Sequence, residues 1–204
     1  MNDVARVLGI FGSPRRGGNT DLLLEETLKG TAAEGARVER IRLCDFRITP
    51  CRECLSCFND GACVIPDDMQ GIYPRLLEAD IVILASPIFF YGITGWAKAM
   101  VDRCQALWAR KYKLHDPALE TEHKRKGFFV SAGGTKGQRM FEGAVLTVRY
   151  FFDAFSAEYS GDLLFRGVDA CGDILKIPDA LSQAFSTGRK LVSDLHMNEV
   201  LSVP

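Results

Sequence analysis

Short apolar runs alternate along this chain with stretches whose apolar positions recur every three or four residues. Residues 4–11 (VARVLGIF) form a compact apolar run that stops at Gly12, and residues 81–85 (IVILA) are wholly apolar and rich in β-branched side chains. Runs of this kind, bounded by turn residues, predict strands buried on both faces of a parallel sheet. Residues 38–43 alternate Val38, Ile41 and Leu43 with charged positions and predict a more exposed strand. Residues 127–130 and a segment within 161–167 complete a set of five. Helical spacing fills the intervals. Leu22, Leu23, Leu24 and Leu28 give one helix its apolar face, with Asn19 or Thr20 as its cap and Gly30 or Gly35 as its end. Residues 66–79 open with Pro66, Asp67 and Asp68, a helix start that the backbone dipole favours. Residues 95–112 space Trp96, Met100, Leu107 and Trp108 for packing, and residues 137–155 and 179–195 predict two more helices.

Strand, loop and helix repeated about five times predict a doubly wound α/β sheet. In such sheets a ligand sits outside the carboxyl ends of the strands, at the topological switch point. Three segments are suited to that rim: residues 12–20, 86–92 and 131–134. The first lacks both G-x-G-x-x-G and G-x-x-x-x-G-K-[ST], so neither a dinucleotide fingerprint nor a P-loop is present. It carries Ser13, Arg15, Gly18, Asn19 and Thr20 where a helix begins. Backbone N–H groups there favour an anion, and Arg15 adds charge-assisted bonds, so a terminal monophosphate suits it. The bland alternative is an ordinary polar turn before a helix. The second segment presents Pro87, Ile88, Phe89, Phe90, Tyr91 and Gly92. Aromatic side chains in mid-loop either cover a flat ligand or pack into the core. The third offers Ser131, Gly133 and Gly134, where backbone can approach a ligand closely. Together the three describe a flavin mononucleotide site better than any one of them alone.

The residues between the second strand and the next helix carry different chemistry. Cys51, Cys54, Cys57 and Cys63 lie in one thirteen-residue window, spaced C-x2-C-x2-C-x5-C. Thiols so close in sequence limit which disulfides can close. They suit an iron–sulfur cluster, and zinc is a second possibility, although Cys₄ zinc sites more often come as two separated C-x2-C pairs. A thiol-rich loop with no metal is the third reading. The other cysteines, Cys44, Cys104 and Cys171, read as small core residues.

Composition narrows the class. With 204 residues, the chain fits one domain over 1–204 with a cysteine-rich insertion at about residues 48–65. A net charge of −1 gives no electrostatic case for nucleic acid or an anionic membrane. No secretory signal is visible, so a reducing cytoplasm is the expected setting, and seven cysteines there read as ligands or free thiols. The basic run His123-Lys124-Arg125-Lys126 reads as a solvated loop before a strand. His115, His123 and His196 fall outside the three loops and read as surface or helix-end residues. Asp102 and Arg103 read as structural ion-pair partners on a helix. No protein acid or base stands out.

The pattern Gly12-Ser13-Pro14-Arg15 with Gly18-Asn19-Thr20, the tetrad, Asp67-Asp68-Met69, Ala79-Asp80 with Ser86-Pro87-Ile88-Phe89-Phe90, and Lys98 with Asp102-Arg103 spans residues 8–103. In this combination the chain resembles the NADPH-dependent FMN reductase family of flavodoxin-like proteins, and within it the iron–sulfur flavoproteins of anaerobic microbes. The resemblance implies a five-stranded parallel sheet, noncovalent FMN and homodimers or homotetramers. It implies phosphate contacts from Ser13, Arg15, Asn19 and Thr20 around Gly18, and a ring lying along Pro87, Ile88, Phe89, Phe90, Tyr91 and Gly92. Ser131, Gly133 and Gly134 would close the other edge, and the tetrad would ligate a [4Fe–4S] cluster. The activity implied is that of an FMN-dependent oxidoreductase that takes electrons from NAD(P)H or ferredoxin and passes them between flavin and cluster. Cluster-free relatives resemble the cysteine segment too, so a cluster-free NAD(P)H-dependent FMN or quinone reductase is the first alternative. A nonenzymatic electron carrier or redox sensor is the second.

Overall fold

The computed structural model describes residues 4–120 and 125–201. Its elements run β1 (Arg6–Phe11), α1 (Asn19–Ala33), β2 (Arg37–Arg42), α2 (Cys57–Asp60), α3 (Ile72–Glu78), β3 (Ile81–Ala85), α4 (Gly95–Arg103), α5 (Gln105–Tyr112), α6 (Pro117–Glu120), β4 (Arg125–Gly133), α7 (Glu142–Asp153), β5 (Ala157–Arg166) and α8 (Ala180–Leu201). Three short 3₁₀ turns lie at Leu43–Asp45, Asp68–Gly71 and Asp173–Lys176. The five strands form one parallel sheet in the order β2-β1-β3-β4-β5. The chain moves outward from β1 to β2, then crosses back to β3, so the switch point lies between β1 and β3.

The sheet alternation divides the core into two layers. Leu8, Ile10, Val82, Leu84 and Phe129 face α3, α4 and α7 through Leu76, Met100, Val148, Phe151 and Phe152. Val7, Phe11, Ile81, Ile83, Phe128 and Val130 face α1 and α8 through Leu24, Leu28, Ala184 and Val192. Two glycines let α1 and α8 cross closely. A Cβ on Gly30 would lie 2.0 Å from the Phe185 carbonyl oxygen, and one on Gly188 would lie 1.9 Å from that of Thr27.

Several predicted boundaries move. The residue 95–112 helix is two helices that meet at Cys104, whose N–H is shared between Met100 O at 3.2 Å and Val101 O at 3.0 Å. A bifurcated bond of this kind tightens the last turn of α4. The start of residues 66–79 is a 3₁₀ turn, with Asp67 accepting from the Met69 N–H, and α3 begins at Ile72. The last strand begins at Ala157, and the residue 137–155 helix is confined to Glu142–Asp153. The residue that caps α1 is Gly18, with no side-chain cap, so neither Asn19 nor Thr20 has that role. Trp96 is substantially exposed, whereas Met100 and Leu107 are buried as their spacing implies. Of the three isolated cysteines, only Cys104 is a core residue; Cys44 is half-buried and Cys171 exposed. His123 and Lys124 lie outside the described residues.

Candidate functional site

Hydrogen bonds join the turns after β1, β3 and β4 into one rim. The Gly12 N–H donates to Ala85 O at 2.7 Å, and the Thr94 hydroxyl donates to Gly12 O at 2.5 Å. On the other side, the Ser131 hydroxyl donates to Ser86 O at 2.7 Å and the Ile88 N–H to Ala132 O at 3.2 Å. The three predicted segments are thus neighbours, set by the register of the central strands.

In the first turn, Ser13 is buried, and its Oγ accepts from the Arg15 N–H at 3.1 Å. Gly17 takes a left-handed conformation, with φ of 66°, that glycine adopts without a Cβ clash. Its N–H donates to Asp21 Oδ2 at 2.9 Å. Arg42 reaches over from β2 to the same oxygen at 2.7 Å. Asn19 points away from the turn: its Nδ2 donates to Ala170 O at 2.8 Å, and its Oδ1 accepts from the Ile174 N–H at 3.2 Å. Thr20 is buried and Arg15 exposed. With no side-chain cap on α1, its first-turn donors suit an anion, and the Arg15 guanidinium stands beside them as an exposed cation.

The second turn is a two-residue hairpin. Phe89 and Gly92 exchange bonds of 2.9 and 3.0 Å, with Phe90 and Tyr91 between them at φ of 48° and 63°. Turns of this shape favour Asn and Gly. Here two bulky aromatic residues adopt it, Phe90 is fully exposed, and Phe89 and Tyr91 are about half exposed. Local strain and exposed aromatic surface coincide at one place on the rim.

The third segment differs from expectation. Ser131, Ala132 and Gly133 belong to β4, paired with Leu164, Phe165 and Arg166. Ser131 is fully buried and serves the second turn. The space that Gly133 leaves is taken by Met140 and Ile88, because a Cβ there would meet the Met140 sulfur at 2.7 Å. Gly134 is the exposed member, against Asp169. A fourth turn, after β5, was not singled out by sequence: residues 169–174 anchor Asn19, and Asp173 accepts from the Ala170 N–H at 2.7 Å. The turn residues Gly167, Asp169, Gly172 and Asp173 were the available signal. Asp21 and Arg42 were missed because each is an ordinary helix or strand position in the local pattern.

The four cysteines line one cavity of about 530 Å³, together with Arg52, Arg103, Gln105 and Trp108. Cys57 opens α2 and packs on Ala106 and Ala109 of α5, whereas Cys51 and Cys54 are exposed. Hydrogen bonds with Ser56 and Arg52 bring the Cys54 thiol down to about 7, and burial pushes the Cys57 thiol up. Glu53 and Leu55, between the first three cysteines, both have left-handed φ, near 53° and 59°. Among the described residues, no three cysteine, histidine or carboxylate side chains are drawn together closely enough to hold a metal ion as they stand. All seven cysteines are free. As a donor set the tetrad fits a thiolate-ligated centre; its present arrangement is a lined cavity.

A parallel sheet of this order with its turns gathered at the switch point defines a flavodoxin-like α/β protein. Comparison with known proteins carries the assignment one step further. The chain belongs to the NADPH-dependent FMN reductase family, whose sequence model matches residues 5–157. An iron–sulfur flavoprotein of Methanocaldococcus jannaschii is 43% identical over 102 residues, 50% of this chain and 53% of that one. The chain therefore matches about half the length of that relative. A Bacillus subtilis protein, provisionally named an NAD(P)H-dependent FMN-containing oxidoreductase, is 28% identical over 88% of this chain and 94% of its own. The solved NAD(P)H:quinone oxidoreductase from Methanothermobacter marburgensis superposes with a TM-score of 0.69 at 19% identity, covering 93% of this chain and 96% of that one, which is a likeness of fold. Among the described residues, no helix is long and apolar enough to cross a membrane.

Proposed function

We propose that this chain is an FMN-dependent oxidoreductase whose flavin site is the rim formed by the turns after β1, β3 and β4. The observation that carries this reading is the joining of those turns at the switch point, with an uncapped helix start on one side and exposed aromatics on the other. The α1 backbone donors, Gly18 and Thr20 receive the phosphate, and Arg15 folds over it. Ser13 and Asn19 support the turn from within, since their side-chain bonds are internal to the protein. Pro87, Ile88, Phe89, Phe90, Tyr91 and Gly92 line the ring, with Gly134 at the opposite edge and Ser131 and Gly133 beneath. When bound, FMN supplies the hydride chemistry, while the protein positions it and excludes competing reactions. Family membership supports a nicotinamide donor; ferredoxin is the alternative donor. The reading further takes the chain as one FMN-binding domain with the cysteine segment as an insertion, working in the cytoplasm as a homodimer or homotetramer.

The tetrad Cys51, Cys54, Cys57 and Cys63 holds a [4Fe–4S] cluster in this reading, supported by the shared cavity and by the name of the Methanocaldococcus relative. The second reading is a cluster-free NAD(P)H-dependent FMN or quinone reductase. The separation of the exposed Cys51 and Cys54 from the buried Cys57 favours it. One experiment divides them. The absorbance spectrum of anaerobically purified protein, with iron and sulfide analysis, shows either flavin bands with a broad shoulder and four irons per chain, or flavin bands alone. A colourless protein that takes up no flavin contradicts both.

A further inference from the structure

One side chain closes the neck of the cysteine excursion. Arg103, the last residue of α4, donates from Nη1 to Thr49 O at 2.8 Å and to Asp67 Oδ2 at 2.7 Å, and from Nη2 to Ile65 O at 3.3 Å. Thr49 precedes the first cysteine, and Ile65 and Asp67 follow the last. Asp67 completes the lacing by accepting the Thr49 N–H at 2.8 Å and the Met69 N–H at 3.2 Å. The Arg103 side chain is fully buried, and among the described residues its Nε has no partner. The same residue forms part of the wall of the 530 Å³ cavity that the four cysteines line. Tyr73 holds the backbone from behind, with its hydroxyl donating to Arg103 O at 2.9 Å.

A buried guanidinium is a charge that cannot be titrated away, and an unused buried donor is costly. Asp67 supplies one negative charge on the neck side. The cavity side holds the four thiols, with Arg52, Glu53 and Asp102 also in its lining, and the thiols become anions when they ligate a soft metal. We propose that Arg103 is a positioning residue for the tetrad: it locks both ends of the cysteine loop and fixes a positive charge in the cavity wall that favours a negatively charged thiolate-ligated centre. The charge role rests on the cluster reading above; the locking role does not.

The two roles separate in one set of variants. In apo protein, Cys57 is buried and Cys63 half-buried, whereas Cys51 and Cys54 are already exposed. In Arg103→Gln, iodoacetamide labelling of Cys57 and Cys63, resolved by mass spectrometry, rises by about tenfold or more as the neck opens. Labelling of Cys51 and Cys54 stays unchanged. Asp67→Asn gives a smaller rise in the same two residues and serves if Arg103→Gln fails to fold, as judged by its thermal transition. After anaerobic reconstitution with ferrous iron and sulfide, Arg103→Lys keeps a cluster at a potential near that of the unmodified protein. Arg103→Gln loads less iron, and whatever cluster it holds has a lower midpoint potential, because the positive charge that favours the reduced form is gone. Unchanged Cys57 and Cys63 labelling in both the Arg103→Gln and Asp67→Asn proteins overturns the locking role. Equal iron content and potential in Arg103→Gln overturns the charge role. An unmodified protein that takes up no iron also overturns the charge role, together with the cluster reading.

Discussion

Asp21 beneath the first turn and Asp67 at the neck of the cysteine excursion each meet an arginine at 2.7 Å, yet they hold their protons differently. Burial opposes ionisation of both. At Asp21 it outweighs Arg42 and the Gly17 N–H, and the carboxyl is raised above 3.8; Oδ1 is buried with no partner. At Asp67 it is overcome by Arg103 and the Thr49 and Met69 N–H groups, and the carboxyl is held below 3.8. Proximity to a guanidinium is common to both. What differs is that Asp21 is the more deeply buried, with 4% of its side chain exposed against 10%, and that only Asp67 has a partner on both oxygens; together these set the sign of the shift. The neck is a completed joint. The joint beneath the first turn is incomplete, at the place where the proposed phosphate arrives.

The largest effect that could break this contrast is on stability. Asp67→Ala leaves Arg103 as an uncompensated buried charge, so it lowers unfolding free energy by about 3–5 kcal/mol in urea titrations. Asp21→Ala frees the partly exposed Arg42 and the Gly17 N–H but removes a carboxyl whose burial already outweighs its bonds, so the loss is smaller, about 1–2 kcal/mol. Equal losses would abolish the distinction.

Proton linkage sharpens it. Between its lowered folded value and 3.8, Asp67 binds more protons in the unfolded chain, so its contribution is present above 3.8 and lost as pH falls through the folded value. Asp21 has the opposite sign: the folded state keeps its proton longer, and stability falls as pH rises from 3.8 through the folded value. Urea midpoints measured from about pH 3 to pH 6 should show a flatter acid limb in Asp67→Asn. In Asp21→Asn the descending component above it should be lost.

Ligand binding comes next in size. Arg15→Ala weakens FMN binding by about 1.5–3 kcal/mol in a fluorescence titration and leaves riboflavin, which lacks the phosphate, unaffected. The smallest effect concerns the aromatic hairpin. Replacing Phe90 with Asn and Tyr91 with Gly relieves two left-handed bulky residues, so thermal stability rises by about 1 kcal/mol while flavin binding weakens. A hairpin that loses stability on this change would show that its aromatic residues hold the fold and not a ligand.

The sheet was legible because its strands are local patterns. Residues 81–85 match β3 to the residue, and hydrogen bonds link the segments that follow β1 and β3, and the second of these to the end of β4. β4 ran past its expected end because pairing of Ser131 and Gly133 with Leu164 and Arg166 outweighs the turn tendency of glycine. Cys171 was misjudged because its exposure is set by the turn after β5, which local composition does not fix. The lock at Arg103 was read only as an ion-pair partner. Its acceptors lie 54 residues away at Thr49 and 36 away at Asp67, contacts that no periodicity in the sequence encodes.

The rim as a flavin mononucleotide site is tested most directly by titrating purified, flavin-stripped protein with FMN and with riboflavin, followed by flavin fluorescence. Uptake of one FMN per chain, with riboflavin bound about tenfold or more weakly for want of the phosphate, is the predicted result. No uptake of either flavin, or equal affinity for both, contradicts it.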